Sequence, residues 1–198
     1  MTEMRKKSIE RLRKLASKGD SQSQYELACY LASQSNAKAH REESLNLLRA
    51  ASERGHSSAL YALGNWYVHG IGVRKNYRLA YSYFLKAAKQ GHPWAQYDLA
   101  VSLEKGRGTK KNEKQAFKWY RESAKQGDAD AQTELGRCLF YGIGVLRNYE
   151  ESVFWYRKAA KKGESDAQYA LGFCYETGKG VRQNKRLAAL WYQKSTQH

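Results

Sequence analysis

Gly19, Gly55, Gly91, Gly127 and Gly163 stand thirty-six residues apart, and no insertion breaks the beat. A fixed period of this length marks an array of helical units, each burying its apolar face only against its neighbours. It divides the chain into units 21–56, 57–92, 93–128, 129–164 and 165–198. One further helix, over about residues 4–18, precedes them within a 1–20 N-terminal cap. Arrays of this kind present surfaces more than enclosed reaction chambers, so the function is expected to be binding.

The copies can be read against each other. Leu27, Leu63, Leu99, Leu135 and Leu171 share one register, with Ser23, Ala59, Ala95, Ala131 and Ala167 four residues earlier. Leu31, Tyr67, Leu103, Leu139 and Tyr175 follow four residues later. Spacings of i, i+4 and i+8 make one apolar helical stripe, the first helix of each unit, helix A. Helix B has its own stripe, as in Ala80, Phe84, Ala87 and Ala88, and its large-ring register holds Leu47, Tyr83, Trp119, Trp155 and Trp191. Between the helices lie Gly70/Gly72, Gly106/Gly108, Gly142/Gly144 and Gly178/Gly180. The first glycine of each pair suits the left-handed residue that ends a helix. Val73, Val145 and Val181 are expected to plug back between the helices. Asn76, Asn112, Asn148 and Asn184 stand where an N-cap for helix B is needed. The first unit departs, reading Gln34, Asn36 and His40, so its loop is expected to take another path. Pro93 opens a helix A, where its missing N–H costs nothing. No segment alternates with the period of a strand, so the fold class is all-α.

These residues resemble the Sel-one-like repeat family, relatives of the tetratricopeptide repeats, whose pattern is roughly A-x-x-x-L-G-x-x-Y, then G-x-G-V, then a capped helix with A-x-x-W-Y-x-K-A-A-x-x-G. The fourth unit carries Ala131, Leu135, Gly136, Gly142, Gly144, Val145, Trp155, Tyr156, Lys158, Ala159, Ala160 and Gly163 at those places. The fifth carries Ala167, Leu171, Gly172, Tyr175, Gly178, Gly180, Val181, Trp191 and Tyr192. The resemblance covers about residues 21–198. It implies a right-handed superhelical solenoid of helix-turn-helix repeats that binds proteins, among them bacterial signalling adaptors and immunity proteins. Asn replaces the family's usual Asp at 76, 112, 148 and 184, and Ala100 replaces its glycine.

Charge divides by layer. The net charge is +16. The five helix A stretches (21–33, 57–69, 93–105, 129–141, 165–177) hold only Lys105 and Arg137 against Glu26, Asp98, Glu104, Asp130, Glu134, Asp166 and Glu176. That layer is −5, and everything else carries +21. In the geometry the resemblance implies, helix A lines the concave groove. The groove is then neutral to acidic, which disfavours a nucleic acid lying in it. The alternative is a basic loop edge of Arg74, Lys75, Lys110, Lys111, Arg147 and Arg182, which would hold an anionic partner, nucleic acid or acidic protein, by salt-sensitive contact.

No constellation for chemistry emerges. The five histidines (His40, His56, His69, His92, His198) show no ligand spacing, so neither a metal nor another cofactor is expected. The Gly-x-Gly pairs follow no strand and read as turns. Glu150 and Glu151 sit where they complement a helix dipole. Cys138 and Cys174 share a register and read as packing residues. The chain is therefore expected to be no enzyme. It shows no apolar run of membrane length and no signal peptide, so a cytoplasmic location is expected.

Positions where the copies disagree hold the candidate site. Trp94, Arg137, Phe140, Tyr141 and Phe173, with His69 and Asn65, fall at helix A registers that line the groove in tetratricopeptide geometry. Aromatic residues and arginine dominate binding energy at interfaces. Tyr25, Tyr61, Tyr97 and Tyr169 recur and read as scaffold. The polar N-terminal helix (Arg5, Lys6, Lys7, Arg11, Arg13, Lys14, with Ile9, Leu12 and Leu15 on one side) is expected to cap the first unit. Ser195-Thr196-Gln197-His198 has no capping helix after it, so partner binding or end-to-end self-association around Tyr169, Tyr175 and Trp191 is a further expectation.

Overall fold

The computed structural model describes residues 3–34 and 38–197, with the side chains of 8–34 and 38–197. Asn36 and His198, and the side chains of Arg5, Lys6 and Lys7, lie outside the described residues. Eleven helices and no strand occur among the described residues: α1 Glu3–Ser17, α2 Ser21–Gln34, α3 Lys38–Glu53, α4 Ser57–His69, α5 Tyr77–Lys89, α6 Pro93–Lys105, α7 Glu113–Lys125, α8 Ala129–Tyr141, α9 Tyr149–Ala160, α10 Ser165–Thr177 and α11 Lys185–Ser195. The even-numbered helices are the A helices. The expected all-α fold is the one observed.

The chain forms two compact units, Met1–Ala95 with Arg107–Thr109, and Gln96–Gly106 with Lys110–His198. In the first, Ile9 and Ala16 of α1 pack on Leu27 and Leu31. Ala28, Leu45, Leu48, Ala51, Ala59, Leu63 and Trp66 make its second cluster, and Val73 folds against it. In the second, Phe140, Val153, Tyr156, Ala159, Ala160, Ala167, Leu171 and Cys174 form one core, with Val181 against it. The whole leucine register is buried. Burial pushes the Cys138 thiol up to about 12 and the Cys174 thiol to about 11, so both behave as small apolar side chains.

Buried polar groups tie helix to helix. Gln24 Nε2 donates to the Ala16 carbonyl at 3.1 Å, and Gln132 Nε2 donates to Ala124 at the same distance. Gln168 repeats the bond to Ala160 at 3.2 Å. Each adds a second bond to a last-turn carbonyl of the preceding helix, which also accepts the N–H of Gly19, Gly127 or Gly163.

The glycine pair does two jobs. Gly70, Gly142 and Gly178 end their helices with φ of 75, 77 and 73°. The second glycine is a contact point. A Cβ on Gly108 would overlap the carbonyl of Tyr77, one on Gly144 that of Glu113, and one on Gly180 that of Tyr149. Each loop thus rests, backbone on backbone, on the start of the preceding helix B. Gly72 lacks this contact: its nearest neighbours are the Arg41 and Trp66 side chains at 3.7 Å. The first unit's departure from the pattern removes the support.

Caps are uniform on four B helices and vary among the A helices. Asn76, Asn112, Asn148 and Asn184 each accept a backbone N–H at 3.0 Å. For the A helices, Asp20 and Asp128 accept from Ser23 and Ala131 at 2.8 and 2.7 Å. At α4 and α6 the acceptor is histidine. His56 Nδ1 accepts from Ala59 at 3.2 Å, and His92 Nδ1 from Ala95 at 3.3 Å. An accepting Nδ1 requires the neutral ring, with the proton on Nε2. His56 Nε2 stands 2.8 Å from Gln22 Oε1, which it can donate to in that tautomer. Tyr25 and Tyr61 stack on these rings with centroids 5.0 and 4.7 Å apart. Burial holds both histidines below the usual imidazole range. Asp20 and Glu26 partly offset this at His56, while His56 adds to it at His92.

Two outcomes follow. Both histidines take a proton less readily folded than unfolded, so the unfolded chain binds more protons as pH falls through about 6.5. Their contribution is present above that pH and lost below it as protonation breaks the caps. The melting temperature followed by circular dichroism should fall between pH 7.5 and 5.5. The His56→Asn/His92→Asn variant, which caps without titrating, should show a smaller fall. Separately, Gly72→Ala should cost about 1–2 kcal/mol, the left-handed penalty alone. Gly144→Ala should cost more, because a carbonyl cannot yield, and urea denaturation reads the difference.

Candidate protein-binding face

The helix period gathers side chains of α8 and α10 into stripes. On α8 these are Asp130, Glu134, Arg137 and Tyr141; on α10 they are Asp166, Tyr169, Ala170 and Phe173. Between the helices lies a cavity of about 280 Å³ lined by Phe140, Tyr141, Tyr156, Tyr169, Ala170 and Phe173. None of these side chains is charged at neutral pH. Tyr141 is 61 % exposed and Tyr169 60 %, while Phe140 is only 6 % exposed.

A substitution between copies explains the cavity's character. Glu104, Phe140 and Glu176 share a register, as do Tyr120, Tyr156 and Tyr192. The Tyr120 hydroxyl donates to Glu104 Oε2, and the Tyr192 hydroxyl to Glu176 Oε2, both at 2.8 Å. In the fourth repeat phenylalanine replaces the carboxylate. Phe140 packs edge-on against Tyr141 and Tyr149 at 5.0 Å and Phe173 at 6.0 Å, leaving an aromatic hollow. The Lys179 ammonium stands over the Phe140, Tyr149 and Phe173 rings at 5.4, 5.7 and 5.5 Å.

Beside it, Arg137 is held by two carboxylates. Its Nη2 donates to Glu104, and its Nε to Glu134 Oε2 at 2.6 Å. The guanidinium lies in a second hollow, of about 540 Å³, with Tyr97, Asp98, Val101, Lys105, Lys111 and Tyr120 on its walls. Burial pulls Glu104 up, but the bonds from Arg137 and Tyr120 outweigh it and hold the carboxyl below its ordinary value. Burial opposes the charge on Arg137 as well; the two carboxylates outweigh it and raise its pKa.

The comparisons with known proteins fit this geometry. The Sel1 repeat model matches residues 21–56, 57–92, 95–128, 129–164 and 165–198. The chain belongs to the Sel1 repeat family. A protective antigen of uropathogenic Escherichia coli with an SLR fold is 35 % identical, with a TM-score of 0.90 over 94 % of this chain. The match takes in 40 % of that protein, so this chain spans less than half its length. A Sel1 repeat protein from Oxalobacter formigenes is 30 % identical over 90 % of this chain and 73 % of its own, with a TM-score of 0.82. An immunity protein from Pseudomonas aeruginosa is 26 % identical over 88 % of this chain and 64 % of its own, with a TM-score of 0.54. Comparison with curated proteins finds no match. Sel1 repeat proteins generally mediate protein–protein interaction and are generally non-enzymatic scaffolds.

Against this Sel1 framework the expected site residues separate. Arg137, Phe140, Tyr141 and Phe173 come together on α8 and α10. Phe140 requires a correction. It is a core residue that reaches the hollow as its floor, because an aromatic ring at a half-covered register folds inward over Tyr149 and Phe173. Trp94 belongs to the first unit, 60 % exposed, with its ring beside Tyr61 and His92. His69 is exposed at the end of α4, and Asn65 donates to the Tyr61 carbonyl at 3.4 Å. The basic residues Arg74, Lys75, Lys110, Lys111, Arg147 and Arg182 are all exposed. Lys111 pairs with Glu113 at 2.6 Å, and Arg147 donates to the Tyr149 hydroxyl at 3.1 Å. Among the described residues no group of three or more His, Cys, Asp or Glu side chains is placed to hold a metal ion, and no helix is long and apolar enough to cross a membrane.

Tyr156 and Ala170 escaped the sequence reading as site residues, and Tyr169 entered it only at the uncovered C-terminal surface. Tyr169 was legible as a ring but discounted for recurring. Its copies Tyr25 and Tyr61 each lie under the histidine that ends their own repeat, whereas Tyr169 packs on Tyr192 at 5.1 Å and stays exposed.

The ion cluster makes a direct prediction. In an Arg137→Met variant, burial of Glu104 is opposed only by Tyr120 among its hydrogen-bond donors. Its carboxyl should rise, with only Tyr120 and Lys105 left to hold it down against burial. Carbon-13 NMR titration of the glutamate carboxyls reads the shift.

Proposed function

We propose that this chain is a non-enzymatic interaction module that seats a segment of a partner protein on the α8–α10 face. Tyr141, Tyr169 and Phe173 would be the anchors, and Arg137 a polar contact beside them. The observation that carries this reading is the uncharged aromatic hollow flanked by two tyrosines about 60 % exposed. Solvent-exposed rings around a hollow are the feature that most often carries binding energy at an interface. Family membership supports the same reading, since Sel1 repeat proteins generally bind proteins. The Pseudomonas neighbour is an immunity protein, which supports the form in which the partner is a toxin and the module neutralises it. Cys29, Cys138 and Cys174 are unpaired thiols, which suits a reducing compartment such as the cytoplasm. In the first unit, Trp94 offers an anchor of the same type.

Affinity capture from native cells, followed by titration of the captured partner, tests the reading. The Tyr141→Ala/Tyr169→Ala variant should bind at least about tenfold more weakly, since two anchors of this type are worth 1 kcal/mol or more each. Both rings are exposed, so circular dichroism should be unchanged. Equal binding by the native chain and the variant would reject this face.

A further inference from the structure

We propose that the segment seated on α8 and α10 is a cationic one, carrying a single large apolar side chain for the aromatic hollow and lysine or arginine beside it. This inference rests on the interaction reading above and adds the chemistry of the occupant.

The hollow sets the first half. Its volume of about 280 Å³ lies at the small end of the roughly 300–1,000 Å³ of small-molecule sites. Its walls are rings and one alanine methyl, none of them charged, with the Lys179 ammonium over the Phe140 and Phe173 rings. It suits one inserted side chain rather than a metabolite.

The stripes set the second half. Asp166 lies one helical turn before Tyr169 and Ala170, on the face that leads into the hollow, and Asp130 holds the same register on α8. A turn is about 5.4 Å, within reach of a residue adjacent to the anchor. The carboxylates gather in space as well as in register. Burial raises the Glu164 carboxyl, and the charges of Asp130, Asp128 and Asp166 raise it further, against Lys162 alone. Lys162 in turn donates its ammonium proton to the Gly127 carbonyl. Arg137, the one basic residue on either helix, is already shared between Glu104 and Glu134. The two helices carry four carboxylates and that arginine in a chain of net charge +16. Screening decides which charge a bound segment feels. At physiological ionic strength the screening length is about 8 Å, so a segment beside Asp130 and Asp166 reads those carboxylates, two helical turns before Phe173, over whose ring Lys179 stands. Like charge next to the stripe would exclude acidic competitors, which gives selectivity as well as attraction.

Panning a phage-displayed random peptide library against the full chain tests this. Selected peptides should share a large apolar residue with lysine or arginine within about four positions. A synthetic copy of the commonest peptide should bind on the order of tenfold more weakly to Asp130→Asn/Asp166→Asn, judged from two surface pairs. Glu150→Gln/Glu151→Gln, which removes the same charge from α9, should leave its affinity unchanged. Acidic or neutral peptides that still need Tyr141 and Tyr169 would overturn the cationic occupant and leave the interaction face standing. Peptides indifferent to Tyr141→Ala/Tyr169→Ala would overturn the face itself. Sedimentation showing a dimer that the same tyrosine substitutions dissolve would assign the face to a second copy and overturn the proposal.

Discussion

A loop glycine resting on a carbonyl at the start of the preceding helix B is the contact from which the repeat geometry follows. At Gly144 and Gly180 the neighbouring backbone occupies the space that a Cβ would need, so only glycine admits the approach. The contact joins atoms whose positions no side-chain rotamer can adjust. It fixes how far each loop stands from the previous repeat and leaves packing to settle the remainder. Gly108 on Tyr77 is the same contact, and it accounts for why Arg107–Thr109 belong with the first unit although the flanking residues belong with the second.

With the repeats set at that spacing, the small helix A residues decide how closely A and B pack. Gly136 and Gly172 lie under Tyr156 and Tyr192, where a Cβ would stand 2.6 and 2.8 Å from the ring. The tyrosine therefore lies flat on its own helix A, and its hydroxyl points along it toward the register of Glu104, Phe140 and Glu176. Whether that register holds a carboxylate or a ring then determines the surface. Glutamate gives a closed hydrogen bond, as at Tyr120 and Tyr192. Phenylalanine gives an uncharged hollow. One residue in thirty-six thus changes the chemistry of a repeat without altering its fold.

This explains what the sequence disclosed and what it hid. Helix positions, the left-handed glycines and the asparagine caps depend on local rules and short spacings, and each was legible from its neighbours in the chain. The second glycine of each pair was legible only as a turn residue, because its constraint comes from a residue thirty-one positions earlier in sequence. The candidate face was half legible. Register comparison found Arg137, Tyr141 and Phe173 because they differ from their copies. It placed Phe140 on the surface, since the helical wheel alone puts its register between core and face and cannot weigh Tyr149 and Phe173. It passed over Tyr169 because recurrence was taken as a sign of scaffold, whereas exposure depends on what lies over the ring. Histidine capping at His56 and His92 was visible as an echo between repeats; the Nδ1 acceptor role was not, since it depends on backbone geometry.

Arg137 shows why residue type is a weaker guide than residue environment. An arginine among aromatic rings invites the reading of a free cation waiting for an acidic partner. Here Glu134, one turn earlier on the same helix, and Glu104, one repeat earlier, claim both edges of the guanidinium. A ligand carboxylate would have to displace bonds already made in a partly buried setting, where leaving a carboxylate unpaired is costly. The surroundings thus turn a basic residue into part of an acidic surface. Across α8 and α10 the unmatched charge is negative, although the chain as a whole is strongly basic. The separation has a physical logic. Loops and outer helix faces can carry lysine at little cost because they are solvated, and net charge there favours solubility. A binding face is constrained by what it must hold, so its departure in sign from the remainder of the molecule is the more informative signal.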